Sequence, residues 1–133
     1  TRFRKMLASD VACYGARAEA GRHAEVYRGS FAISVCPSEN VESPTIVGAQ
    51  AANELLNIIG IKASFVLTEY NGKIYISSRS IDEINVQIIM EKLGGGGHLN
   101  VAGAQLTGVT IVQAKRMIQD TLDEMLKEGD IEE

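Results

Sequence analysis

The chain has 133 residues, 45% of them hydrophobic and 23% charged, with a formal net charge of −4. That length suits one domain burying about two-thirds of its unfolded surface, and the balance is globular rather than disordered. An acidic chain lacks the basic surface that a long polyanion requires, so non-specific nucleic-acid binding is not expected. No apolar run approaches the ~18 residues of a membrane-spanning helix, and the opening residues lack the pattern of a signal peptide. The chain opens on Thr1 rather than methionine, so a fragment of a longer protein is expected. Cys13 and Cys36 have no C-x-x-C spacing and read as two reduced thiols.

In chain order, residues 1–20 read as a helix with Phe3, Leu7, Val11, Tyr14 and Ala18 on its apolar face and Gly21 as its stop. AEVYRGSFAISVC (24–36) reads as two short strands around Arg28-Gly29-Ser30. Ser43-Pro44 supplies a helix cap and a first-turn proline for a helix that ends at Gly60. Asn71-Gly72 between KASFVLTEY and GKIYISSR is the strongest short hairpin signal in the chain. Ser80-Ile81-Asp82-Glu83 fits a capping box for a helix with Ile84, Ile88 and Leu93 on its apolar face. After a glycine run, GAQLTG fits one more strand. Thr110 to Gln113 is a second capping box, opening a last helix that buries Ala114, Ile118, Leu122 and Met125. The tail KEGDIEE is expected to fray. Hairpins mixed with helices imply an α/β (mixed α+β) fold, a central mixed sheet with helices packed on it.

The glycine run is the one unusual stretch: KLGGGGHLNVAGAQL, from Lys92 to Leu106. Each ordered glycine costs roughly 0.5–1 kcal/mol of conformational entropy relative to alanine. Two readings fit it. One is a helix cap followed by a tight crossing of two backbones. The other is a Gly-rich phosphate-binding loop, in which the N–H groups of Gly95, Gly96 and Gly97 form a nest for an anion and His98 adds a donor. Neither the P-loop nor the Rossmann pattern applies as written. Arg79, at the end of a predicted strand, carries a guanidinium fork that matches two phosphate oxygens. Ser78 and Ser80 have hydroxyls beside it, and Asn85 and Gln105 are further polar candidates for a base or sugar. His23 reads as a surface residue. Two histidines and no Asp/His cluster of ligand spacing cannot build a di-metal centre, so no catalytic residue and no metal ligand is expected in the chain.

Together, SSRS (77–80), INVQIIMEKLGGGGHLNVAGAQL (84–106) and the hairpin before them resemble the C-terminal, DHH-associated domain of the DHH phosphoesterases. GAQAANELL, SSRSIDEINVQ and GGGGHLNVAGAQL are most similar to the GdpP-type cyclic di-AMP phosphodiesterases. The resemblance implies a division of labour. A separate DHH domain of the same chain would hold manganese and supply the attacking hydroxide. The present domain would grip substrate through Arg79 and through Gly95, Gly96, Gly97 and His98. Val101 stands where many relatives have alanine. Residues 1–22 would then be a helix leading from the DHH domain, and 23–133 the DHH-associated domain. The implied partners are a cyclic dinucleotide or short oligonucleotide, with a second copy of the chain as a further candidate. The implied location is the cytoplasmic part of a membrane-anchored protein.

The readings that compete with hydrolysis of cyclic di-AMP to pApA are an oligonucleotide-degrading relative and an RNA-binding module like the C-terminal domain of alanyl-tRNA synthetase. A purely structural domain is the third.

Overall fold

The computed structural model describes residues 2–81 and 83–133, with side chains from Asp10 onward apart from that of Asp82. Ten elements follow in order: α1 (Arg2–Arg22), β1 (Glu25–Tyr27), β2 (Phe31–Val35), α2 (Pro44–Leu55), β3 (Ala63–Tyr70), β4 (Lys73–Ser80), α3 (Val86–Lys92), β5 (Gly96–Gly97), β6 (Val101–Leu106) and α4 (Ile111–Glu128). The strands form one sheet in the order β1-β2-β3-β4-β6-β5. Only β2 and β3 run parallel, joined through α2; the other neighbours are antiparallel. The expected mixed sheet with packed helices is what the chain forms.

Alternation along the strands divides the core between the two faces of the sheet. Phe31, Ile33, Phe65, Leu67, Ile74 and Ile76 join Ile89 and Met90 of α3 and Ile118, Leu122 and Met125 of α4 in one cluster. Ala32 and Val66 point the other way, into a smaller cluster with Ala16 and Ala20 of α1 and Val47, Ala51 and Leu55 of α2. β3 lies between the layers and is buried from Ala63 through Thr68. The second layer stops at β4. Beyond it Tyr75, Ser77 and Arg79 of β4 are half-buried, and Val101 and Gln105 of β6 are exposed. That open strip of sheet is where the candidate site lies.

The Asn71-Gly72 turn forms as expected, with φ of 52° and 75°, the left-handed pair a tight hairpin requires. In α4 the Thr110 hydroxyl accepts from Gln113 N–H, and the Gln113 side chain accepts from Thr110 N–H. Three expectations are corrected. Val11 and Tyr14 of α1 are 68% and 69% exposed, and Ala18 is exposed too. The small face of Cys13, Ala16 and Ala20 packs inward instead, because alanines let the helix lie close to its neighbours. Phe3 and Leu7 fall outside the described side chains. The helix expected from Ser80 begins later. Ser80 remains in β4, paired with Ala63, and Asn85 caps α3 through bonds from Gln87 N–H (3.0 Å) and Ile88 N–H (3.3 Å). Asp82, part of that expected box, lies outside the described residues. Finally, the acidic tail is docked: Ile131 is buried in the larger cluster, and Arg28 pairs with Glu133.

Burial pushes the Cys36 thiol up to about 11, so it stays protonated and inert at neutral pH. Half-buried Cys13 is the more accessible thiol. Iodoacetamide at pH 8 is expected to alkylate Cys13 in the folded protein and to reach Cys36 only after denaturation, as peptide mass mapping would read directly.

Candidate functional site

The glycine run is not an open loop. Gly94, at φ 87°, ends α3 in a Schellman turn: Gly94 N–H donates to Glu91 O (3.1 Å) and Gly95 N–H to Met90 O (2.8 Å). Gly96 and Gly97 then form β5, opposite Gly103 and Ala102 of β6. The approach is too close for side chains. A Cβ on Gly95 would run into Gly103 O, and one on Gly97 would lie 2.5 Å from Ala102 Cα. Gly96 differs, since a Cβ there would meet nothing within 4 Å.

This geometry revises the expected nest. His98 N–H donates to Val101 O (2.7 Å), which makes 98 and 101 a hydrogen-bonded pair. Antiparallel pairs alternate, so Gly97 and Ala102 form the other kind and the Gly97 N–H faces the open edge of the sheet. Gly95 N–H is committed to the helix end and Gly96 N–H turns toward β6. Three N–H groups therefore do not converge on one point. The Gly97 N–H and the exposed His98 side chain are the donors left at the edge.

The turn after His98 is held rigidly. Ser80 N–H donates to Asn100 O (3.1 Å), and Val86 N–H to Leu99 O (2.9 Å). Asn100 Nδ2 donates to Ser80 Oγ (2.9 Å), whose own hydroxyl donates to Ile84 O (2.6 Å). Ser80 thus ties the end of β4 to the His98 turn. Asn85 acts one step further back, as the cap of α3.

Arg79 stands on the open face, opposite Val101 of β6 and Ser64 of β3. Its Nη1 donates to Ser78 O (2.8 Å). Among the described residues no carboxylate pairs with it, although seven other Lys, Arg and His side chains make salt bridges. Burial without a counter-charge holds its guanidinium below the ordinary arginine value. A half-buried cation of this kind gains most from an incoming anion. Below it, an open cleft of about 570 Å³ is lined by Tyr75, Ser77, Gly95, Gly103 and Gln105. Arg79, Gly97 and His98 are therefore brought to one end of the strip, with Gln105 farther along it. Val101 stood out in the sequence only for differing from relatives, and Tyr75 not at all; the register of β4 and β6 places both on the open face. Among the described residues no three His, Cys, Asp or Glu side chains come together to hold a metal ion. Those described residues offer manganese no ligand set, and no hydrolytic step is derived through it.

The decisive comparison is with protein families: the DHHA1 domain model matches residues 28–128. The chain belongs to the DHHA1 family. PdeA of Listeria monocytogenes, a cyclic-di-AMP phosphodiesterase, is 41% identical over 120 residues, which is 90% of this DHHA1 chain and 18% of PdeA. GdpP of Bacillus subtilis, also a cyclic-di-AMP phosphodiesterase, is 37% identical over 127 residues, 94% of this chain and 19% of GdpP. The chain thus spans under a fifth of the length of these relatives. An exopolyphosphatase-related protein of Bacteroides fragilis shares the fold, with a TM-score of 0.75 at 20% identity over 86% of this chain and 35% of that one.

The DHHA1 glycines make opposite predictions within one run. Gly97→Ala must shift β6 and force an alanine to φ 146°, so a loss of about 1–3 kcal/mol is expected. Gly96→Ala, with open space around it, is expected to change stability by less than about 1 kcal/mol. Urea unfolding of both variants checks the contrast.

Proposed function

We propose that this DHHA1 chain is the substrate-binding part of a phosphodiesterase that hydrolyses cyclic di-AMP to pApA. The observation that carries the reading is the half-buried Arg79, free of any carboxylate among the described residues, on the same open strip as Gly97 and His98. Arg79 would clamp a phosphate with its planar fork. The Gly97 N–H and the His98 imidazole would hold phosphate oxygens from the sheet edge. The two relatives named as cyclic-di-AMP phosphodiesterases support this choice of substrate over a longer oligonucleotide, and the net charge of −4 favours a small ligand over RNA.

The chemistry of cleavage would belong to a DHH domain of the same protein, with residues 1–22 leading from it. This chain's part is to bind and orient. Fixing the phosphates turns attack on one of them into an effectively intramolecular step, where orientation alone is worth several kcal/mol. The protein would place this domain in the cytoplasm, as part of a membrane-anchored chain. Among the described residues no helix is long and apolar enough to cross a membrane.

Arg79→Ala in the protein that carries this domain is expected to lower kcat/KM for cyclic di-AMP by about 1.5–3 kcal/mol, roughly 10- to 150-fold. Arg79→Lys should recover little, because a point charge cannot replace a two-pronged contact. Unchanged kinetics in Arg79→Ala would remove that side chain from the site.

A further inference from the structure

Val101 occupies the middle of the row that ends in Arg79 on one side and His98 on the other. It is the register partner of Arg79 across β4 and β6, and its carbonyl accepts from His98 N–H across the turn. Because its backbone groups point toward His98, its pairing with Arg79 is the non-hydrogen-bonded kind, with Cβ atoms about 5 Å apart. Ser80 N–H donating to Asn100 O fits the same alternation. The valine is nevertheless 47% exposed, with the Arg79 cation as its register neighbour. Neighbouring strands lie about 4.8 Å apart, so a ligand that reaches both Arg79 and His98 must pass over it.

Isolated exposed apolar residues are ordinary on protein surfaces. The position of this one is not. A bare inorganic phosphate spanning the row would lay charged oxygens against two methyl groups and gain nothing there. A nucleotide has an apolar face between its phosphate and the far edge of its base, and would cover the valine while its phosphate meets the guanidinium. Leu99, two residues before Val101 in the turn, is also 47% exposed.

We infer that Val101 is a specificity-determining residue, whose isopropyl group is the floor on which the nucleoside part of the ligand rests between Arg79 and His98. The inference rests on the phosphate-binding reading of those two residues. It makes the site select a nucleotide over an inorganic phosphate of similar charge. A valine in a strand also has a plain backbone rationale, since β-branched residues suit pleated structure. Threonine is β-branched and nearly the same shape, so it keeps that contribution and replaces one methyl group by a hydroxyl.

The test is isothermal titration or amide NMR of the chain with two probes, pApA and inorganic pyrophosphate. Val101→Thr should weaken pApA about four-fold, the factor one buried methyl group corresponds to, and leave pyrophosphate unchanged. Val101→Ile, which keeps an apolar surface, should retain pApA binding. Equal changes for both probes, or no change for pApA in Val101→Thr of unaltered melting temperature, would overturn the floor. Arg79→Ala separates the two readings: if it leaves pApA and pyrophosphate binding intact, the phosphate site itself has failed, whatever Val101→Thr does. No binding of pApA by the unsubstituted chain at millimolar concentration would overturn both.

Discussion

The arrangement at the open edge of the sheet depends on a contact between two backbones with no side chains between them. Gly95 and Gly97 press onto Gly103 and Ala102 so closely that a Cβ at either of the first two would collide with β6. That contact turns the residues after α3 into a strand and brings His98 opposite Val101. It thereby aligns the His98 turn with Arg79, one strand further in. The entropy that glycine costs in an ordered segment is offset by a sheet edge no other residue type could form. The bonds through Ser80 and Asn100 then hold the turn in place, so the proposed donors would be positioned before a ligand arrives, the condition under which binding energy is least wasted on ordering.

The second determinant is an imbalance of cover. Helices α3 and α4 close one face of the sheet, whereas α1 and α2 close the other only as far as β4. Arg79 sits where that cover ends. It is buried enough to lose part of its hydration and open enough to receive a ligand. Arg28 illustrates the alternative: it pairs with Asp123 at 2.7 Å and with Glu133 at 3.3 Å, and its charge is spent on docking the end of α4 and the tail. Among the described residues, what separates these two arginines of the same chemistry is the presence of a carboxylate beside Arg28.

Much of this was legible in the sequence where local chemistry decides. The Asn71-Gly72 turn, the Thr110–Gln113 capping box and the buried stripe of α4 depend on neighbours within a few residues, and all three formed as read. The family was legible in SSRS and the glycine-histidine stretch. What escaped were features set by partners far along the chain. The apolar stripe of α1 predicted the wrong face, because Ala16 and Ala20 fit against α2 and β2 where larger residues would not. The start of α3 was misplaced, since pairing with β3 and β6 kept Ser80 in its strand and left the cap to Asn85. The glycine run was read partly as an anion nest, whereas its N–H groups are divided among a helix end, a strand pair and the open edge. Val101 could be placed beside Arg79 only once the register of β4 and β6 was known.

The most direct measurement of the central account is an NMR titration of the chain with pApA, following the Arg79 Nε–Hε signal together with the backbone amides. The Arg79 side-chain signal is expected to shift in step with the amides of Gly97 and His98, while those of Gly94 and Gly95, bonded to the end of α3, move little. Shifts concentrated elsewhere on the domain, with the Arg79 signal unmoved at saturation, would contradict it.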